Sequence, residues 1–210
     1  YLVLPNALMA RYRERFSRYS STVPSFDQHT LAAFMHTGGF ERHISRSRKV
    51  YQARRDALMA ALGAEVTGGL EPSGTADDGS ALTCGRVGRL PEPMALSDFL
   101  PYVADRLHAN GLRYVDGGRP VGMLAVCGGS GGSMLELAAQ KGCDTFVTAD
   151  VKYDRFLAAK ELGINLIDAD HFCTENVIIP ILCEKLRAQF PALTFAVSRV
   201  HAQTAQTYCP

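Results

Sequence analysis

The stretch IDADHFCTENVIIP, residues 167–180, sets His171 and Glu175 four residues apart just past an apolar run. One helical turn brings positions i and i+4 onto the same face, so an imidazole and a carboxylate would stand side by side. Together they suit zinc, iron, manganese or nickel better than calcium or magnesium. The pair does not distinguish among those transition metals. Spacing alone makes it a weak signal, and a catalytic zinc site generally has three protein ligands rather than two. The other histidines, His29, His36, His43, His108 and His201, form no HH or HxH pair. His29, His36 and His43 recur every seven residues, which reads as a helix surface rather than a metal cage.

Two further stretches carry candidate chemistry. TADVKYD, residues 148–154, places Asp150, Lys152 and Asp154 beyond a second apolar run. Asp150 either accepts a hydrogen bond from a metal-bound imidazole and so orients it, or caps the helix that follows. CGGSGGS, residues 127–133, holds Gly128, Gly129, Ser130 and Gly131 between a strand-like and a helix-like segment. That layout can aim backbone N–H groups at an anion or substrate. It is neither a GK[ST] loop nor a GxGxxG fingerprint, and a tight, closely packed turn is the alternative reading. The residues alone assign no catalytic group.

The elements that must position these residues alternate. VGMLAVC, TFVTAD, NLIDAD and TFAVSRV read as strands. SMLELAAQKG, YDRFLAAKELG and IPILCEKLRAQF read as helices between and after them, the second closed by Gly163. LSDFLPYVADRLHANG precedes them as a helix ending near Gly111. This alternation predicts an α/β domain with a mixed or largely parallel sheet. Functional residues in such sheets collect beyond the carboxyl ends of the strands, where the glycine turn, Asp150 and His171 all fall. Residues 68–85, rich in Gly, Ser, Thr and Asp, read as a loop or linker.

Residues 1–62 read as helical. One helix covers NALMARYRERFSRYS, another starts at an N-cap Ser25 and ends at Gly38-Gly39, and a long third has Ile44, Val50, Leu58 and Leu62 as buried positions. Its Arg-rich opposite face reads as solvated, since no aromatics interleave to stack on bases, which argues against nucleic acid. Residues 1–62 carry ten basic and four acidic residues, a balance of +6, and 63–210 balance at −5. The change of sign suggests two regions of different origin, 1–62 and 63–210.

The chain has 210 residues, 47% hydrophobic and 20% charged, with a formal net charge of +1. That is a globular composition with material for a core and no electrostatic bias toward one class of partner. No apolar run reaches the length of a membrane span, and YLVLP lacks the charged-then-apolar layout of a signal peptide. The six cysteines form no CxxC pair, and Cys127 at a strand end reads as a small buried hydrophobe. These features lead to the expectation of a reducing, cytoplasmic setting.

The strings CGRVGRLPEPMALSDF, LAVCGGSGGSML, CDTFVTADVKYDRFLAAKELGINLIDADHFCTENVIIP and VSRVHAQ make residues 63–210 similar to the carboxyl-terminal part of the NIF-three-like dinuclear-metal-centre proteins, also called GTP cyclohydrolase I type-two homologues. The resemblance implies His171 and Glu175 as ligands in a two-metal site, with 128–131 and Asp150 nearby. It also implies a metal-dependent hydrolase, a homo-oligomer, and a small-molecule or nucleotide substrate. The family's remaining ligands, an adjacent His-His pair and an Asp, come from an amino-terminal half that this sequence lacks, so the expected site is incomplete. The family string TGD followed by a His stands here as TAD, with Asp154 at the later position. YLVLP, RYRERFSRYSSTVPSFDQHTLAAF and GGFERHISRSRKVYQARRDAL make residues 1–62 resemble an interior piece of the MocR-type aminotransferase-like regulators. That resemblance implies a PLP-fold scaffold without the Schiff-base lysine, which argues against PLP binding. On this reading the chain is a fusion joined near MAALGAEV, and the alternatives to the metal-dependent hydrolase are a regulator fragment without the catalytic lysine or an inactive fusion fragment.

Overall fold

The computed structural model describes residues 11, 12, 14, 24–75, 79, 81–200 and 202–208. They belong to two compact units, Tyr1–Arg46 and Ser47–Pro210. In the first unit, helix α1 (Ser25–His36) starts at Ser25 itself. The cap position is Pro24, which has no side chain to bond the first-turn amides, so Ser25 is not the N-cap. Of the helix expected before it, only Arg11, Tyr12 and Glu14 lie within the described residues, and they are helical. Helix α2 (Gly39–Ala61) begins in this unit and runs on into the second.

The second unit is a mixed six-stranded sheet in the order β1-β2-β4-β5-β6-β3. Along the chain come β1 (Glu65–Thr75), β2 (Ala81–Met94), α3 (Leu96–Leu107), β3 (Arg113–Val115) and β4 (Val121–Ser130). A 3-10 turn (Gly132–Met134) leads into α4 (Leu135–Gln140) and then β5 (Thr145–Ala149). The rest is α5 (Tyr153–Leu162), β6 (Asn165–Asp168), α6 (His171–Asn176) and α7 (Ile178–Gln189). Strands β4, β5 and β6 are parallel, and the other pairings are antiparallel. The expected mixed α/β architecture is therefore present. Every residue of β5 and of β6 is buried, the mark of parallel strands covered on both faces.

Alternation along the strands divides the core in two. Leu124, Val126, Val147 and Ile167 pack with Leu58, Met59 and Leu62 of α2 and with Phe99 and Val103 of α3. Ala125, Cys127, Phe146 and Leu166 face the other way, onto Leu135 and Ala138 of α4 and Ala159 of α5. Burial pushes the Cys127 thiol up to about 11, so it behaves as the apolar filler its position suggested.

Three expectations are corrected. Residues 68–85 are not a linker: they lie mostly in the β1–β2 hairpin, paired from Glu65↔Arg89 to Thr75↔Ala81. Glycines and two register irregularities disguise the strand pattern, yet Leu70, Leu82 and Val87 are buried. Gly85, at φ +71°, permits the close approach, because a Cβ there would lie 2.9 Å from Leu70 and from the Val126 carbonyl. The segment TFAVSRV forms no strand; the Phe195 carbonyl instead accepts from Arg187 Nη2 at 2.8 Å. The Arg-rich face of α2 is not solvated throughout, since Arg55 is only 8% exposed. Ile44 is partly buried, Leu58 and Leu62 are fully buried, and the Val50 side chain lies outside the description.

Candidate functional site

Three parallel strand ends deliver the candidate residues. The β4–β5 ladder is irregular between Val126 and Ser130, as at a β-bulge, a feature often found beside functional sites. β5 ends at Ala149, and Asp150 follows at φ 52°. β6 ends at Asp168, and Asp170, at φ 68°, turns the chain into α6. Positive φ at a non-glycine residue costs about 1–3 kcal/mol and persists where surrounding bonds hold it. Those bonds are visible. Asp170 Oδ1 accepts from the Cys173 amide at 3.2 Å, and Gln203 Nε2 donates to the same oxygen. Thr174 Oγ1 shares its proton between the carbonyls of Asp170, at 2.9 Å, and His171, at 3.1 Å.

Helix α6 brings the sharpest pair together. His171 Nε2 stands 3.8 Å from Glu175 Oε2. Asp150 Oδ2 lies 2.6 Å from His171 Nδ1. Asp150 thus bonds the His171 ring and is not the helix cap, a position filled by Lys152. In the neutral imidazole this bond holds the proton on Nδ1 and leaves the Nε2 lone pair facing Glu175. The same bond, foremost, raises the His171 pKa above its ordinary value; Glu175 and Asp170 add to the effect and partial burial opposes it. The His171 side chain is 51% exposed and that of Glu175 27%. They line an open cleft of about 570 Å³ with Asp150, Arg54, Asn176 and Gln203.

The glycine turn lies against this pair. At Gly129, φ +68°, a Cβ would come 3.1 Å from His171 Cε1 and 3.2 Å from Glu175 Oε1. Its amide donates to Thr174 Oγ1 at 3.0 Å, and the Gly131 amide donates to Thr148 Oγ1 at 3.0 Å. Both donors are thus spent inside the protein and stitch β4 to α6 and β5. A Cβ on Gly128 would sit 3.2 Å from the Thr174 carbonyl. Ser130 and Asp150 face a separate small cleft with Lys152, Asp154 and Arg155.

Reasoning on the sequence missed Arg54 of α2. Its Nη1 donates to Glu175 Oε2 at 3.0 Å across 121 residues of chain. No local signal marks it, because Arg54 reads as one more cation on a basic helix. Thr174 and Gln203 were also missed, although Thr174 sits inside the HFCTE string.

Residues 30–207 match the model of the family Duf34/NIF3 (NGG1p interacting factor 3). The chain belongs to the NIF3 family. Among curated relatives of this NIF3 chain is the GTP cyclohydrolase 1 type 2 homolog of Pseudomonas aeruginosa, 34% identical over 133 residues, or 63% of this chain and 50% of the relative. The protein of the same name from Nostoc sp. is 29% identical over 165 residues, 77% of this chain and 60% of the relative. The fold is shared with a hypothetical protein of Staphylococcus aureus, at a TM-score of 0.62 and 21% identity, over 74% of this chain and 64% of that one. The chain thus spans about half the length of the Pseudomonas relative. The NIF3 match begins at residue 30, well inside the segment that resembles MocR-type regulators. The aminotransferase-like assignment of 1–62 is not supported. A physical reason stands beside the match: Leu58, Met59 and Leu62 are part of the core of the α/β unit.

The NIF3 resemblance implies a resident metal pair, and the residues present do not fit one. No group of three His, Cys, Asp or Glu side chains arranged for a metal occurs among the described residues. Zinc bonds to nitrogen and oxygen run about 2.0–2.2 Å, so donors 3.8 Å apart could share an ion only at an angle well past tetrahedral. The oxygen nearest His171 Nε2 is also already occupied by the Arg54 guanidinium.

Proposed function

We propose that this NIF3-family chain carries the carboxyl-terminal half of a metal centre. In this reading His171 Nε2 and a Glu175 oxygen are two of its donors, and Asp150 orients the imidazole. Divalent transition-metal binding by the half-site alone is weak, because each missing ligand removes charge and preorganisation. Hydrolysis of a small-molecule or nucleotide substrate, the class suggested by the relatives' name GTP cyclohydrolase 1 type 2 homolog, needs donors from outside the described residues. Another copy in a homo-oligomer, or polypeptide of the kind that fills out the longer relatives, would supply them. The observation that supports this reading is the Asp150–His171 bond, which leaves Nε2 bare and aimed at Glu175.

The test is calorimetric titration of the chelator-treated chain with zinc or manganese, beside His171→Ala. The expected result is no more than one weakly held ion per chain, lost in His171→Ala, and no turnover of GTP by the chain alone. Tight binding of two ions per chain would overturn the half-site reading. Equal binding by the two proteins would remove His171 from the ligand set.

A further inference from the structure

We propose that residues 194–200 form an interface strand, which pairs antiparallel with the same segment of a second copy of this chain about a two-fold axis at Val197. The inference goes beyond the half-site reading and does not depend on it. TFAVSRV has the residue types of a strand, yet among the described residues no strand pairs with it. Residues 194–198 are in neither helix nor turn and lie along α7. Phe195, Val197 and Val200 border an open apolar groove of about 550 Å³ with Ile179, Leu182 and Leu186 of α7. Leu182 and Val197 are each 47% exposed, and Val200 is 92% exposed. A strand-type segment left unpaired beside exposed apolar side chains is a template for another strand.

The bonds already made fix which edge is open. The Phe195 carbonyl faces α7, where it accepts from Arg187 Nη2 at 2.8 Å and from Nε at 3.2 Å. In an extended chain, successive residues present their N–H and C=O groups to opposite edges. Thr194, Ala196 and Ser198 therefore present theirs away from α7. A second copy fits that edge in one register. With Val197 on the axis, Ala196 stands opposite Ser198 of the partner subunit, and Phe195 opposite Arg199 of the partner subunit. Each pairing of Ala196 with Ser198 exchanges two backbone bonds, because both residues face the open edge. The Val200 amide is tied to Ser198 Oγ at 3.3 Å, which ends the ladder there. Phe195, Val197 and Arg199 share one face of the strand, the face that carries Phe195 and Val197 into the groove. The ribbon thus sets valine beside valine and guanidinium beside ring, both favourable cross-strand pairs. No like charges meet, because Arg199 is the one charged residue of the segment and lies off the axis. That self-complementarity selects a second copy over a foreign strand. The opposite edge is taken by Arg187, so the pairing closes as an isologous dimer.

The experiment uses the full chain and reads its mass by sedimentation over a dilution series. The parent should be a dimer at about 100 µM, the weak range that suits a short ladder, and should dissociate on dilution. Val197→Asp puts two carboxylates face to face on the axis and should weaken the dimer about 10-fold. Val66→Asp, at a residue 44% exposed on β1, should leave it intact. Val197→Cys gives a second measurement that does not depend on weakening anything. Opposed residues of a non-hydrogen-bonded pair have Cα atoms about 4.5 Å apart, within the span of a disulfide. With oxidised glutathione taking up the two electrons, the two introduced thiols should join. Mass spectrometry of the digested protein should then find position 197 linked to position 197. Leu193→Cys, at the far end of the ribbon from its counterpart, should give no such link. A parent that stays monomeric at the highest concentration would overturn the proposal and leave the segment to a strand of another polypeptide. A dimer unmoved by Val197→Asp, or weakened equally by Val66→Asp, would also overturn it, since another surface would then hold the copies. If Val197→Asp does not fold, the cross-link decides alone: a dimer without the link between the two positions 197 sinks the register.

Discussion

His171 is held between two carboxylates of unlike role. Asp150 accepts at Nδ1 and Glu175 faces Nε2. The Asp150 bond, foremost, raises the His171 pKa above its ordinary value. A raised histidine pKa means the pair's contribution to stability is fully present below the unfolded value, about 6.5. That contribution is lost as pH rises through the higher folded value. Asp150→Asn removes the charge but keeps a residue that tolerates the positive φ of this position. The stability gap between parent and Asp150→Asn should therefore be widest below the unfolded value of about 6.5 and close as pH rises through the higher folded value. Denaturant unfolding across that range checks it, with the His171 ring titration followed by NMR. Since His171 is half exposed, the gap should be modest. A gap that widens with rising pH would show that Asp150 stabilises something other than the imidazolium.

At the scale of elements, the β1–β2 hairpin is the part whose residue types mislead. Gly68, Gly69, Gly74, Gly79 and Gly85 resemble loop punctuation, yet β1 pairs with β2 along its length and Leu70 is wholly buried. Leu70→Ala should cost about 2–5 kcal/mol, the range for deleting a large buried aliphatic side chain. Val66→Ala on the same strand, with Val66 44% exposed, should cost clearly less. Urea unfolding of both variants separates a packed edge strand from a solvated connection, because a linker would make the two substitutions equally mild.

For the whole molecule, the compact unit that holds the site begins at Ser47. A chain starting at Ser47 should keep a cooperative thermal transition close to that of the full chain. A chain starting at Gly63 loses Leu58, Met59 and Leu62, all fully buried, and each such side chain contributes about 1.5–3 kcal/mol of burial. That sum is comparable with the whole stability of an ordinary domain, about 5–15 kcal/mol. The shorter chain should melt well below the longer one and bind a hydrophobic dye through the uncovered face. Equal melting would detach α2 from the core. No helix among the described residues is long and apolar enough to cross a membrane.

What the sequence by itself determined is local or periodic. The strand–helix alternation of 121–189 follows from apolar runs and glycine stops, and Gly163 closes α5 in the left-handed conformation as expected. Parallel strands necessarily bring the segments after β4, β5 and β6 to one edge, so Asp150, His171 and the glycine turn were legible as neighbours. The His171–Glu175 approach is a property of one helical turn. Tertiary structure alone decided the rest. Whether Gly129 and Gly131 offer free amides depended on two threonine hydroxyls reaching in from α6 and β5. Whether 68–85 paired depended on β2 and β4 lying alongside to cover Leu70 and Val87. Above all, the cation at Glu175 is an arginine 121 residues away. No spacing rule reaches across that distance, because the contact exists only after Leu58, Met59 and Leu62 have docked α2 against the sheet.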